Sequence, residues 1–147
     1  MNWSDYSDVL YLLSVDAIFF LVVLSCLAST LIRHRRSTKW LRRELAKNIK
    51  PQQKKYYTKA REYYGEFNTD CVSMYIQAVI SVIIITCCSI SVSGAVLGIA
   101  TPLWVVIVLQ AAAFLNTVVV FFAWRSMVKK EDVFSELMKK AANKGHK

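Results

Sequence analysis

The chain is predicted to be an all-α integral membrane protein with three transmembrane helices, on three observations. Residues Cys71 to Trp124 contain no Asp, Glu, Lys or Arg, and at ~1.5 Å per helical residue that stretch can cross a ~30 Å hydrocarbon core twice. A second apolar run, Val9 to Ile32, carries a single charge, Asp16. All nineteen Lys and Arg residues lie in two segments, 33–70 and 125–147. A three-span chain would keep both of those segments on one side of the bilayer.

The first part, residues 1–32, comprises an outer N-terminus and the first span, about Val9–Ile32, with Trp3, Tyr6 and Tyr11 as interfacial aromatics at its outer edge. It holds Asp5, Asp8 and Asp16 and no base. It lacks the basic leading region of a cleavable signal and ends in Arg33-His34-Arg35-Arg36, so it is expected to stay as a signal-anchor with its N-terminus translocated. Asn2-Trp3-Ser4 matches a glycosylation acceptor, too close to the bilayer to be used.

Residues 33–70 carry twelve Lys and Arg against four acids and are expected to form a short basic cytosolic helical segment. Leu41, Leu45 and Ile49 recur every four residues after Ser37-Thr38, a helix start. Beyond Pro51, Tyr56, Ala60, Tyr63 and Phe67 repeat at spacings of 4, 3 and 4, with Tyr57 and Tyr64 alongside; this is the seam of an amphipathic helix. Two short helices follow, Ser37–Ile49 and Gln52–Asn68, hinged at Lys50-Pro51. They could pack as a hairpin or lie on the bilayer surface.

The transmembrane hairpin, residues 71–124, has spans at about Val72–Val92 and Leu103–Trp124. The link Ser93–Pro102 is uncharged and broken by Gly94, Gly98 and Pro102, which makes the two spans antiparallel neighbours. The basic tail, residues 125–147, places Val133, Phe134, Leu137, Met138 and Ala141 on one helical face. Gly145 removes a dilysine retrieval signal from its end.

Lys and Arg stay on the cytoplasmic side during insertion, so the positive-inside rule puts the N-terminus outside or in a lumen, and the loop and C-terminus in the cytosol. That rule explains most of the net charge of +9. The basic loop also suits anionic lipid headgroups, and no nucleic-acid partner is expected. With 147 residues, 55% of them hydrophobic, the spans leave no room for a separate soluble catalytic domain. The four cysteines form no disulfide framework or metal spacing; Cys71, at the edge of the second span, is read as a plain reduced thiol, with acylation as the alternative. No cofactor, metal site or catalytic residue is expected, and the chain is read as a non-enzyme.

The polar groups inside the spans are the candidate site. Asp16 lies about seven residues, ~10 Å, inside the outer boundary of span one, and an acid there costs a few kcal/mol unless it faces the protein interior or a wet cavity. Gln110 lies at the same depth in span three and is placed to hydrogen-bond to it. Gln77 and Asn116 share a depth nearer the other end. Gln110, Ala113 and Thr117 give span three one small, polar face. These groups either line a hydrophilic groove or serve as interhelical glue, within the chain or to a partner subunit.

The order of parts resembles the YidC/Oxa insertase superfamily, in particular its endoplasmic-reticulum WRB/Get-type branch. Leu41-Arg42-Arg43-Glu44-Leu45 looks like the start of that family's cytosolic helix, and Lys54-Lys55-Tyr56-Tyr57-Thr58-Lys59-Ala60-Arg61 is similar to its aromatic-basic second helix. Gly94-Ala95-Val96 with Thr101-Pro102-Leu103 looks like the turn after its second span. The 33–70 loop is shorter than the long coiled coil with which those receptors engage a targeting ATPase, so the likeness implies the fold and not that docking.

What the resemblance implies is a protein of the endoplasmic reticulum or another endomembrane that assists insertion or assembly of other membrane proteins. Its client or partner would meet the seam Tyr56, Ala60, Tyr63 and Phe67. The competing class is a structural or regulatory subunit of a larger membrane complex, such as a channel, transporter or respiratory assembly.

Overall fold

A computed structural model describes residues 6–47, 49–97 and 101–144, with the side chains of residues 6, 95 and 96 left aside. The glycosylation pattern at residues 2–4, Gly98 in the hairpin link and the last three residues fall outside the described residues. Three helices account for nearly everything described: α1, Tyr6–Leu45; α2, Pro51–Val96; and α3, Leu103–Lys144. There is no strand among the described residues. At 40, 46 and 42 residues, each helix is about twice the ~20 residues that a bilayer needs. All three are long and apolar enough to cross a membrane, which fits an integral multi-pass protein.

The expected short basic segment between the first two spans is not there. Ser37 and Thr38 do not start a helix but lie inside α1, and Gln52–Asn68 is the first part of α2 rather than a separate piece. The tail is likewise continuous with the third span in α3. Segment 33–45 turns polar without turning into a helix breaker: it has no Gly or Pro, and Arg, Lys and Leu all favour helix. Thr38 removes its own conflict by donating Oγ1–H to the His34 carbonyl at 2.8 Å.

Only the hinge forms where it was expected. Residues 46–50 separate α1 from α2. Pro51 occupies the first helical position, where its missing N–H costs nothing. The Gln53 side chain accepts from the Lys50 backbone N–H at 3.2 Å while the Gln53 N–H donates to the Lys50 carbonyl at 2.9 Å, a reciprocal cap.

The chain divides into two compact units, Met1–Leu27 with Tyr75–Phe122, and Ala28–Met74 with Ala123–Lys147. The first, the apolar unit, contains three acids and no base in its sequence; the second, the charged unit, contains every Lys and Arg.

In the apolar unit the outside is greasier than the inside. Leu21, Ile83, Ile107, Leu115 and Phe122 are all more than half exposed. Between 17% and 33% of each helix's most apolar window is buried. The interior is lined instead by small and polar residues: Ala78, Cys88, Ala113, Ser81, Thr117 and Asp16, with valines at Val9, Val23, Val92, Val106 and Val120. Small residues let helix backbones approach closely where lipid, not water, is the solvent. One layer joins Val9, Val92 and Val106 with Leu12 and Leu13, and Phe19 meets Phe114 with ring centroids 6.2 Å apart.

In the charged unit the order is reversed, with aromatics inside and charges outside. Leu41, Tyr57, Ala60, Phe134, Met138 and Ala141 form one core, flanked by Trp40, Ile49, Tyr56, Tyr64 and Leu137. Phe134 sits between Trp40 and Tyr64, at 6.1 Å and 5.8 Å between centroids. Arg33 to Glu131 at 2.7 Å and Lys130 to Asp70 at 2.9 Å tie α3 to its two neighbours. The first two helices thus pair as a hairpin, with α3 completing their core.

Candidate functional site

The apolar unit positions its polar side chains in two layers. In the first, Asp16 on α1 is 1% exposed. Its Oδ1 accepts from the Gln110 amide of α3 at 2.9 Å, and its Oδ2 accepts from the Ser89 hydroxyl of α2 at 3.4 Å. The pairing of Asp16 with Gln110 is the one that counting residues from the span boundaries expected. In the second layer Asn116 of α3 donates its side-chain amide to the Ser81 hydroxyl of α2, and Ser81 in turn donates to the Gln77 backbone carbonyl at 2.8 Å. Gln77 and Asn116 are therefore brought together through Ser81, one helical turn from Gln77. Thr117 is buried and donates to the Ala113 carbonyl at 2.8 Å.

Ser81 and Ser89 are the residues that sequence reasoning missed. A lone serine in a span looks like a packing residue; Ser81 lies one turn from Gln77 on the same face of α2, whereas Ser89 is turned about 120° from Gln77 and only its contact with Asp16 singles it out. Among the described residues no buried side-chain N or O atom lacks a partner. Asp16, Gln110, Ser89, Asn116 and Ser81 are bonded to one another within the unit.

Between α1 and α2 of this unit runs a groove of about 600 Å³. Leu13, Phe20 and Ile85 form apolar walls, while Asp16, Thr86, Ser89 and Ser93 supply polar ones. Phe20 and Ile90, on its rim, are exposed. Ser89 is the residue shared by the groove and the carboxylate bond. Its 3.4 Å contact is long for an O–H donor to a carboxylate. The arrangement offers hydrogen-bonding groups along an apolar cleft.

The charged unit fixes the second candidate, the seam of α2. Ala60 and Phe67 are fully buried, against the core of α1 and α3. Tyr56 is half-buried under the Lys144 ammonium, which lies 4.6 Å from its ring centroid. Tyr63 remains 39% exposed. Tyr57, Ala60 and Tyr64 meet the core with Tyr56 packed at its flank, and Phe67 lies beside the His34 and Tyr64 rings; of the expected stripe, Tyr63 is the one that stays exposed.

The reason is polar. The Tyr57 hydroxyl donates to Glu44 Oε2 at 2.9 Å, and the Tyr64 hydroxyl shares a 2.7 Å hydrogen bond with Thr38 Oγ1. Burial, reinforced by the Glu44 carboxylate, pushes the Tyr57 phenol up to about 12. Glu44 is shifted the other way: its bond to Lys47 holds it below the ordinary carboxylate value, and the Tyr57 hydroxyl assists. Cys71 is fully buried with a free thiol, which fits the plain thiol rather than the acylation alternative.

No group of three or more His, Cys, Asp or Glu able to hold a metal occurs among the described residues. Comparison with family models, with curated proteins and with solved structures finds no match for this chain.

Proposed function

We propose that the chain is a small multi-pass protein of the endoplasmic reticulum or a related endomembrane that helps other membrane proteins insert or assemble, without covalent chemistry. The observation that carries this is the α1–α2 groove, in which Asp16, Thr86, Ser89 and Ser93 present polar groups within an otherwise apolar unit. Moving an unbonded polar group into hydrocarbon costs several kcal/mol. A cleft with a carboxylate on its α1 wall, hydroxyls on its α2 wall and open apolar rims lets a client's polar flank keep hydrogen bonds while its apolar segment passes into lipid. In this reading the charged unit is cytosolic and receives the client, with Tyr63 and the surrounding lysines as the surface offered, and the groove conducts its flank.

The alternative is an accessory subunit whose intramembrane polar groups bond to a partner's helices. The internal satisfaction of those groups weighs against it.

The test is reconstitution. Liposomes containing the purified protein should insert a short-tailed client faster than empty liposomes, and Asp16→Leu with Gln110→Leu should remove most of the gain. A client without a polar flank should show little acceleration. Insertion no faster than in empty liposomes would favour the accessory subunit.

A further inference from the structure

The charged unit contains a second groove, about 420 Å³, lined by His34, Arg35, Thr38, Lys39 and Arg42 of α1. Its inner side is fixed by α2: His34 Nε2 is 2.7 Å from the Asn68 side-chain oxygen, and Thr38 Oγ1 is 2.7 Å from the Tyr64 hydroxyl. Arg35, Lys39 and Arg42 stand exposed on its outer side, at offsets of four and three, one stripe along ~10 Å of helix.

Arg33 pairs with Glu131, Lys130 with Asp70 and Lys47 with Glu44, while Arg35, Lys39 and Arg42 form no ion pair among the described residues. Arg36 and Arg43 beside them also form no ion pair among the described residues, but only Arg35, Lys39 and Arg42 both lack an acid and line the groove. The groove also lies at a defined level on α1. Trp124 Nε1 donates to Ser29 at 3.1 Å, and a tryptophan at the end of a span marks the bilayer interface. Arg35 follows Ser29 by six residues, ~9 Å along the helix, the depth of the headgroup layer.

We propose that this groove is a binding site for a lipid headgroup bearing more than one phosphate, of the phosphoinositide class, in the leaflet that the charged unit faces. A stripe of three unpaired cations ~10 Å long exceeds what a single phosphodiester can neutralise. Two arginines supply the forked donors that phosphate oxygens accept, Lys39 between them supplies a third cation, and His34 and Thr38, held by Asn68 and Tyr64, close the floor. The site stands independently of any insertase role, because none of its residues belongs to the α1–α2 groove of the apolar unit.

The experiment is native mass spectrometry of the full-length detergent-solubilised protein titrated with a short-chain phosphatylinositol bisphosphate, phosphatidylcholine or soluble inositol trisphosphate. The bisphosphate lipid should bind and phosphatidylcholine should not. With each basic residue near an anionic surface contributing on the order of fivefold, R35Q/K39Q/R42Q should weaken binding roughly a hundredfold. K54Q/K55Q/K59Q, which removes the same charge from exposed positions of α2, should leave it within about twofold. Should the triple variant fail to purify, Lys39→Glu alone should weaken binding at least tenfold. Equal losses in both triple variants, or unchanged binding in Lys39→Glu, would overturn the site. Inositol trisphosphate binding as tightly as the lipid would overturn the lipid as its ligand.

Discussion

The apolar and charged units are built from the same three helices with opposite rules for what goes inside. In the charged unit Phe134, Phe67 and Met138 are buried and Arg35, Lys39 and Arg42 are exposed, the arrangement that water imposes. In the apolar unit Phe122, Leu115 and Ile83 are exposed and Asp16, Ser81 and Thr117 are buried. Burying a large apolar side chain gains little where the surroundings are already apolar, so packing there rests on small residues and hydrogen bonds. One helix can obey both rules in succession because helix formation depends on the backbone, whereas the solvent decides only which side chains turn inward.

The largest expected effect separates the units through one kind of substitution. Phe134→Ala removes a fully buried ring that touches Trp40 and Tyr64 and should cost about 3–5 kcal/mol. Phe122→Ala, at a position 59% exposed, should cost under about 1 kcal/mol in a micelle. Thermal unfolding of the two variants in one detergent measures the difference, and comparable losses would break the contrast.

Next in size is Glu131→Gln. Glu131 is 8% exposed and pairs with Arg33 at 2.7 Å, and the neutral amide leaves a part-buried guanidinium without its counter-charge. The expected loss is about 1–3 kcal/mol, reduced because the Arg33 side chain is still 32% exposed. If chemical denaturation finds Glu131→Gln as stable as wild type, the ion pair does not hold α3 to α1.

The pH dependence sharpens the contrast, since the titrating pair lies in the charged unit alone. Tyr57 is raised from 10.0 to about 12 by burial and by Glu44. Its contribution is therefore complete below pH 10 and is lost as pH rises through about 12. Glu44 is lowered below its ordinary 4.5, mainly by Lys47, so its contribution is present above that pH and is lost as the pH falls further. Tyr57→Phe should flatten the alkaline limb of a stability–pH profile, and an unchanged limb would contradict the Tyr57–Glu44 bond.

The smallest effect is a gain. Gly65 lies within α2, and an added Cβ there would meet nothing within 4 Å. Gly65→Ala should stabilise by about 0.5–1 kcal/mol through helix propensity alone, measured as a rise in the unfolding midpoint. A fall would show that the position is packed in a way the geometry excludes.

How much of this was legible in the sequence divides along similar lines. The three spans were legible because charge-free length is a property of composition. The bond between Asp16 and Gln110 was legible because depth can be counted from two span boundaries. The continuity of α1 from span to polar segment was not. A switch from apolar to basic residues after Ile32 looks like an element boundary, yet it marks a change of solvent and leaves the backbone untouched. The seam was legible at Ala60 and Phe67, both buried, but adjacent tyrosines at 56 and 57, and at 63 and 64, offer two stripes that share them. Only the reach of Glu44 and Thr38 from α1 decides between them, and that is tertiary information.

The reversal of inside and outside fits lipid around the apolar unit, and three helices long and apolar enough to cross it. Single-cysteine labelling with a membrane-impermeant maleimide in sealed vesicles tests this most directly, using a cysteine-free background with Ser7→Cys, Leu97→Cys, Thr58→Cys or Lys139→Cys. Ser7→Cys and Leu97→Cys should react from one face of the membrane only, and Thr58→Cys and Lys139→Cys from the opposite face only. Leu97→Cys reacting on the same face as Thr58→Cys would mean that α2 does not cross, and the three-span arrangement would be wrong.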